Sequence, residues 1–155
     1  TLSLSSRIVR NQGPFSNTGP LPPEADKETT YTVMLFAGNT VNSVANSKVV
    51  IPLPSYVRFT NQMSPTDSFT YSEATREVTW TIGDFAPGTT KEGSFQIAFL
   101  PSVSQKGTSP VLIMEQTITG FDRFVQKELS AKASSQNTQI TTDSTYQIQH
   151  GSVLQ

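Results

Sequence analysis

Blocks of strict two-residue alternation, each cut off by glycine and proline, constrain this chain more than any other feature. Residues 19–33 read Gly-Pro-Leu-Pro-Pro-Glu-Ala-Asp-Lys-Glu-Thr-Thr-Tyr-Thr-Val, a breaker-dense turn that feeds a run where Tyr31, Val33 and Leu35 alternate with Thr30, Thr32 and Met34. Residues 71–88 repeat the grammar: a polar turn, then Val78, Trp80 and Ile82 in alternation, then Gly83 and Pro87-Gly88 as stops. A period of two sends successive side chains to opposite faces of a strand, and β-branched and aromatic residues suit a half-buried pleated surface. The helical period of 3.6 is sustained nowhere.

The rest of the chain reads the same way. Leu2, Leu4 and Ile8 alternate with Ser3, Ser5 and Arg7, which predicts a strand over residues 1–10. Residues 11–28 hold Gly13-Pro14, Gly19-Pro20 and Pro22-Pro23, too many breakers for a helix, and read as an extended crossover. Residues 48–53 form a β-branched run ended by Pro52 and Pro54, after which Val57 and Phe59 resume alternation; proline there marks an edge or a strand end. Phe69 and Tyr71 are expected to pair with Val78, Trp80 and Ile82 across a turn at residues 72–76. Phe95, Ile97 and Phe99 give the cleanest inward face, residues 111–119 a further strand, and residues 124–133 the last strand of the body. Residues 136–155 are polar and read as a tail, loosely ordered or held by a neighbour, with Ile140, Tyr146, Ile148, Val153 and Leu154 available to dock.

Short strands about eight to twelve residues apart, with turn signals between them, predict an all-β fold: an immunoglobulin-like, two-sheet antiparallel β-sandwich of Greek-key type over residues 29–135, with extra terminal strands. A closed small barrel is the competing architecture. Trp80 is the expected centre of the core, alongside Tyr31, Val33, Leu35, Ile82, Phe95, Ile97 and Phe99. At 155 residues there is material for one domain's core.

Composition excludes whole classes of function. The net charge is −1, charged residues make up 15% against a usual share of about 25%, and no basic run occurs, so the electrostatic footprint of a nucleic-acid binder is missing. Cysteine is absent, which removes disulfides, thiolate metal sites and a cysteine nucleophile together. No apolar run approaches the roughly 18 to 20 residues that span a bilayer as a helix. The chain opens on Thr1 without a basic, then apolar, leader, as a processed chain or an excised piece would.

The order Gly-Pro-x-Pro-Pro before Glu28-Thr29-Thr30-Tyr31-Thr32-Val33, then Asn39-Thr40 through Lys48, Leu53-Pro54-x-x-Val57-x-Phe59, Tyr71 through Gly83 around Glu77-Val78-Thr79-Trp80, and Pro101-Ser102-x-Ser104-Gln105-x-Gly107 carries a resemblance. Over residues 10–135 the chain resembles the repeat domains of bacterial and archaeal surface proteins, domain-of-unknown-function family eleven. The resemblance implies an immunoglobulin-like module of an exported protein, extracellular or at the cell surface, strung with neighbouring repeats or self-associating. It implies no active site.

Side chains suited to chemistry are few and scattered. His150 is the single histidine and sits in the polar tail, a weak basis for a triad, a zinc pair or general acid-base work. Asp67, Glu73, Asp84 and Asp122 fall in expected loops, where calcium binds surface β domains, but they lack the Asp-x-Asp-x-Asp spacing of a loop site and read first as turn residues. No other cofactor is expected. Lys27 or Lys48 with Asn137 is a conceivable amide cross-link, though solvated lysines at strand ends are commoner. Phe15 and Tyr56 are candidate ligand-contacting aromatics, with packing beneath the crossover as the plainer reading. Leu2, Leu4 and Ile8 could complete their own sheet, end a preceding repeat, or fill pockets of the next subunit as a donated strand. The expectation is a non-catalytic structural module that assembles into a surface layer, stalk or filament through strand-edge contacts; the alternative is an adhesin that binds glycan or protein through Phe15, Tyr56 and Asp122.

Overall fold

The computed structural model describes residues 2–10, 14–40, 42–140 and 151–154, and within them the chain is a two-sheet antiparallel sandwich. The first sheet has the order β1 (Leu2–Val9), β2 (Thr29–Asn39), β7 (Thr89–Phe99), β4 (Val57–Ser64). The second runs β10 (Lys127–Ala133), β9 (Gln116–Asp122), β3 (Val44–Pro52), β6 (Glu77–Phe85), β5 (Phe69–Ser72). A small pair, β8 (Val111–Ile113) with β11 (Gln136–Asn137), sits beside them. The first sheet matches the four-stranded sheet of immunoglobulin constant domains, and β10-β9-β3 its three-stranded partner. The β5–β6 hairpin then extends the second sheet beyond β3, although it follows β4 in the chain.

Alternation places the core between the sheets. Tyr31, Val33, Leu35, Phe95, Ile97 and Phe99 are fully buried from one side, and Val49, Ile51, Val78, Trp80 and Ile118 from the other; Ile82 is only half-buried. Trp80 stacks on Phe69 with ring centroids 5.8 Å apart, and Phe69 packs on Phe95 at 5.1 Å. Gly93, opposite Leu35 on β7, makes room for this stack. A Cβ there would come within 2.7 Å of the Trp80 ring and 2.9 Å of the Phe69 ring.

Several boundaries differ from the expected ones. Strand β3 begins at Val44, ahead of the run starting at Lys48, because a bulge at Asn46 (φ 54°) breaks the alternation and shifts the register to both neighbours. Residues 111–119 form two strands: Met114 N–H turns to the Pro52 carbonyl at 3.0 Å, and β8 pairs with β11. Strand β10 starts at Lys127, since residues 123–126 make the turn.

The crossover and the tail are both fastened down. Residues 14–18 lie across the outer face of the first sheet, where Gln96 Nε2 donates to the Ser16 carbonyl at 3.0 Å and Thr30 N–H to the Thr18 carbonyl at 2.8 Å. Gly19 (φ 99°) permits the turn beside β2; any Cβ would lie 2.1 Å from the Glu28 carbonyl oxygen. The described part of the tail docks on its own domain: Leu154 N–H donates to Pro23, Ala25 N–H to Leu154, Val153 N–H to Thr108 and Gly107 N–H to Val153, with Val153 and Ile140 buried in the core. Main-chain bonds fix where these apolar side chains dock, and a polar sequence carries no signal of them. Tyr146, Ile148 and His150 lie outside the described residues.

Candidate assembly surfaces

Strand pairing defines the two ends of the sandwich. At the upper end, β2 finishes at Asn39, β1 begins at Leu2, β3 begins at Val44 and β9 finishes at Asp122. At the lower end, β2 begins at Thr29, β7 finishes at Phe99, β3 finishes at Pro52 and Leu154 pairs with Glu24. The chain therefore enters at one end and leaves at the other.

The N-terminal strand completes its own sheet. All eight residues of β1 pair with β2, from Leu2 opposite Asn39 to Val9 opposite Thr32. Leu2 and Ile8 are buried and Leu4 half-buried against the same domain's core. The far side of β1 lies against β10, and Gln136 Nε2 donates to the Ser6 carbonyl at 3.4 Å, so this flank of the sandwich is closed. On the opposite flank β4 and β5 are edges. β4 is interrupted by a register shift around Asn61 (φ 67°), and β5 has four residues, two devices that discourage pairing with another sheet.

The upper end is held by side chains that bind backbone. Asn39, buried at the end of β2, donates to the Asn42 and Phe85 carbonyls at 2.8 and 3.0 Å. Asp122 accepts from the Phe124 and Val125 N–H groups at 2.8 and 3.1 Å and from Asn42 Nδ2 at 3.1 Å. Burial alone would raise the Asp122 carboxyl; those three donors outweigh it and hold it below the usual aspartate value. Asp84 pairs with Arg123 at 3.1 Å. The turn they brace carries Phe124, 82% exposed, with Val125 and Phe121 also exposed. Sequence reasoning placed Phe124 in a strand and missed this knob; the nearby signal was Asp122, a turn-capping residue two positions earlier.

At the lower end a groove of about 510 Å³ is lined by Tyr56, Tyr71, Leu100, Glu28, Glu73 and Arg58, among others. Tyr56 packs edge-on against Phe99 at 5.6 Å, and burial pushes its hydroxyl above the ordinary tyrosine value, partly offset by a hydrogen bond to the Val111 backbone. Glu28 is paired with Arg58 at 2.8 Å, and Arg76 is turned onto the Pro54 and Val57 carbonyls.

The other candidates that the sequence suggested do not converge. Phe15 lies in the crossover on the outer face of the first sheet, Tyr56 at the lower end and Asp122 at the upper end. Asp67 is exposed in the turn before β5, and among the described residues no three histidine, cysteine or acidic side chains gather where they could hold an ion. Lys27 bonds Glu24, Lys48 is exposed, and the Asn137 side chain accepts from Gln139 N–H. Among the described residues no helix is long and apolar enough to cross a membrane.

No protein-family model matches the sequence, and no curated protein matches it. Solved structures do. The major pilin subunit BcpA of Bacillus cereus superposes with a TM-score of 0.57 at 11% identity, over 88% of this chain and 39% of the pilin. The full-length major pilin SpaD of Corynebacterium diphtheriae gives 0.55 at 10% identity, over 87% of this chain and 34% of SpaD, and a two-domain portion of SpaD gives 0.54 at 11%, over 88% and 52%. The chain spans well under two thirds of each. What these structures share with it is the fold, matched over about a third to a half of each of those chains.

Proposed function

We propose that this chain is a non-catalytic structural module of a bacterial or archaeal cell-surface protein, contributing to an extracellular layer, stalk or filament. The observation that carries this reading is the path of the chain: Leu2 lies at one end, Leu154 at the other, and both terminal segments are hydrogen-bonded into the body. Force applied between them drags β1 lengthwise along β2, so the whole ladder resists together rather than opening pair by pair. The side chains that elsewhere serve chemistry, Asp122, Asn39, Gln96 and Arg76, are committed to the chain's own backbone. The resemblance to surface-protein repeats and the pilin-like fold support the same reading.

Single-molecule pulling between residues 2 and 154 tests it. A structural module unfolds in one cooperative, high-force step. Stepwise unravelling at low force, with β1 leaving first, would sink the proposal. The adhesin reading rests on the Tyr56–Tyr71 groove alone, because Phe15 and Asp122 are not part of it.

A further inference from the structure

Among the described residues every exposed large apolar side chain lies at one of the two ends: Phe121, Phe124 and Val125 at the upper, Leu100, Val103, Met114 and Leu154 at the lower. The broad outer faces carry none. A distribution of this kind marks the ends, not the flanks, as contact surfaces. We propose that they are complementary docking faces, and that the Phe124 knob of one copy of this domain seats in the Tyr56–Tyr71–Leu100 groove of a second copy. The proposal rests on the structural-module reading and specifies how its modules meet.

Three features support a second copy as the occupant. The knob is preorganised by Asp122, by the Arg123–Asp84 pair and by the Arg123 N–H bond to the Ser43 carbonyl at 3.2 Å, so docking costs little ordering. The charges are complementary: Lys127 flanks the knob and Glu73 the groove, and among the described residues neither has an ion-pair partner. The chain path agrees, since the groove end holds Leu154 and the knob end Leu2; in-line copies bring one chain's exit to the next chain's entry. A knob at one end and a groove at the other form a heterologous contact, which propagates as an open line instead of closing as a dimer.

Sedimentation velocity over a concentration series tests this, using the intact chain, F124D, K127E, E73K and an equimolar mixture of the last two. All three substituted positions are exposed, so each variant should keep the wild-type melting temperature. The wild-type chain is expected to grow beyond dimers with concentration. F124D should weaken association at least about tenfold, as loss of a central aromatic anchor does. K127E and E73K should each weaken it alone, and their mixture should restore association, because a K127E knob meeting an E73K groove again brings opposite charges together. A wild-type chain that stays monomeric throughout, or that instead pellets with anionic lipid vesicles through Phe124, overturns end-to-end docking. Assembly unaffected by F124D also overturns it, while leaving the structural-module reading to the pulling measurement.

Discussion

Replacing Gly93 by alanine is expected to destabilise the domain, although alanine is ordinarily the better residue in a strand. The gain from removing glycine's backbone freedom is about 0.5–1 kcal/mol. Against it, the new methyl would lie 2.7 Å from the Trp80 ring and 2.9 Å from Phe69, closer than carbon atoms tolerate. Both rings are buried and stacked on each other, and Phe69 is backed by Phe95, so neither can swing away. Overpacking of this kind costs about 1–3 kcal/mol. The net expectation for G93A is a loss of about 1–2 kcal/mol, which at a urea m-value of about 2 kcal/mol/M lowers the midpoint by about 0.5–1 M. Gly38→Ala is the matched control: its methyl would crowd the Ser3 hydroxyl, at 2.7 Å, an exposed side chain that can rotate aside, and would meet Thr90 at an ordinary 4.0 Å. G38A should therefore lie within about 0.5 kcal/mol of wild type. Equal stability of the two variants in urea titrations would refute the claim that the absence of a side chain at Gly93 makes room for the Trp80–Phe69 stack.

Val153→Ala removes two buried methyl groups, worth about 0.8 kcal/mol each, plus a cavity term. A loss of about 2 kcal/mol by thermal melting is expected if the tail belongs to the core. Gln96→Ala should free the crossover by removing the amide donor to the Ser16 carbonyl and Asn17 Oδ1, costing about 1–3 kcal/mol and opening residues 14–20 to limited proteolysis. Because the Asp122 carboxyl is depressed in the folded chain, its contribution is complete above the unfolded aspartate value, about 3.9, and is lost as pH falls through the lower folded value. Amide exchange at Phe124 and Val125, corrected for intrinsic rates, should lose protection in that acidic window and at neutral pH in D122A.

The strands with unbroken alternation were legible because the side-chain period is itself the signal. Phe95, Ile97 and Phe99 face inward as their spacing requires, and in the expected hairpin Phe69 pairs with Trp80 and Tyr71 with Val78, while Ile82 lies beyond the end of the β5 pairing. Bulges were not legible. Asn46 and Asn61 adopt left-handed backbone inside strands, a conformation that asparagine also brings to turns; the Asn46 bulge switches the inward parity between Val44 and Val49, and the Asn61 irregularity inserts two extra residues between Phe59 and Met63. The C-terminal segment was only half legible: Val153 was visible as an apolar residue able to dock and is buried, but the main-chain bonds of residues 153–154 that fix where it docks have no side-chain signal. Phe124 misled for the opposite reason: an apolar residue after an alternating run reads as more strand, whereas Asp122 turns the chain and leaves the ring in solvent. The candidate site was thus only partly visible, with Tyr56 identified and the Phe124 knob missed.

The central claim is that each copy closes its own sandwich and meets others as a finished unit, instead of lending β1 to a neighbour. The chain has no cysteine, so an introduced pair reports cleanly. Ser3 faces Gly38 across β1 and β2, with the Ser3 hydroxyl 2.7 Å from the position of a Cβ at residue 38, close enough for a disulfide between S3C and G38C. Mass spectrometry and non-reducing electrophoresis of the oxidised double variant decide the question: the account predicts a single chain lighter by two hydrogens, and covalently linked dimers or longer ladders through the same pair would contradict it.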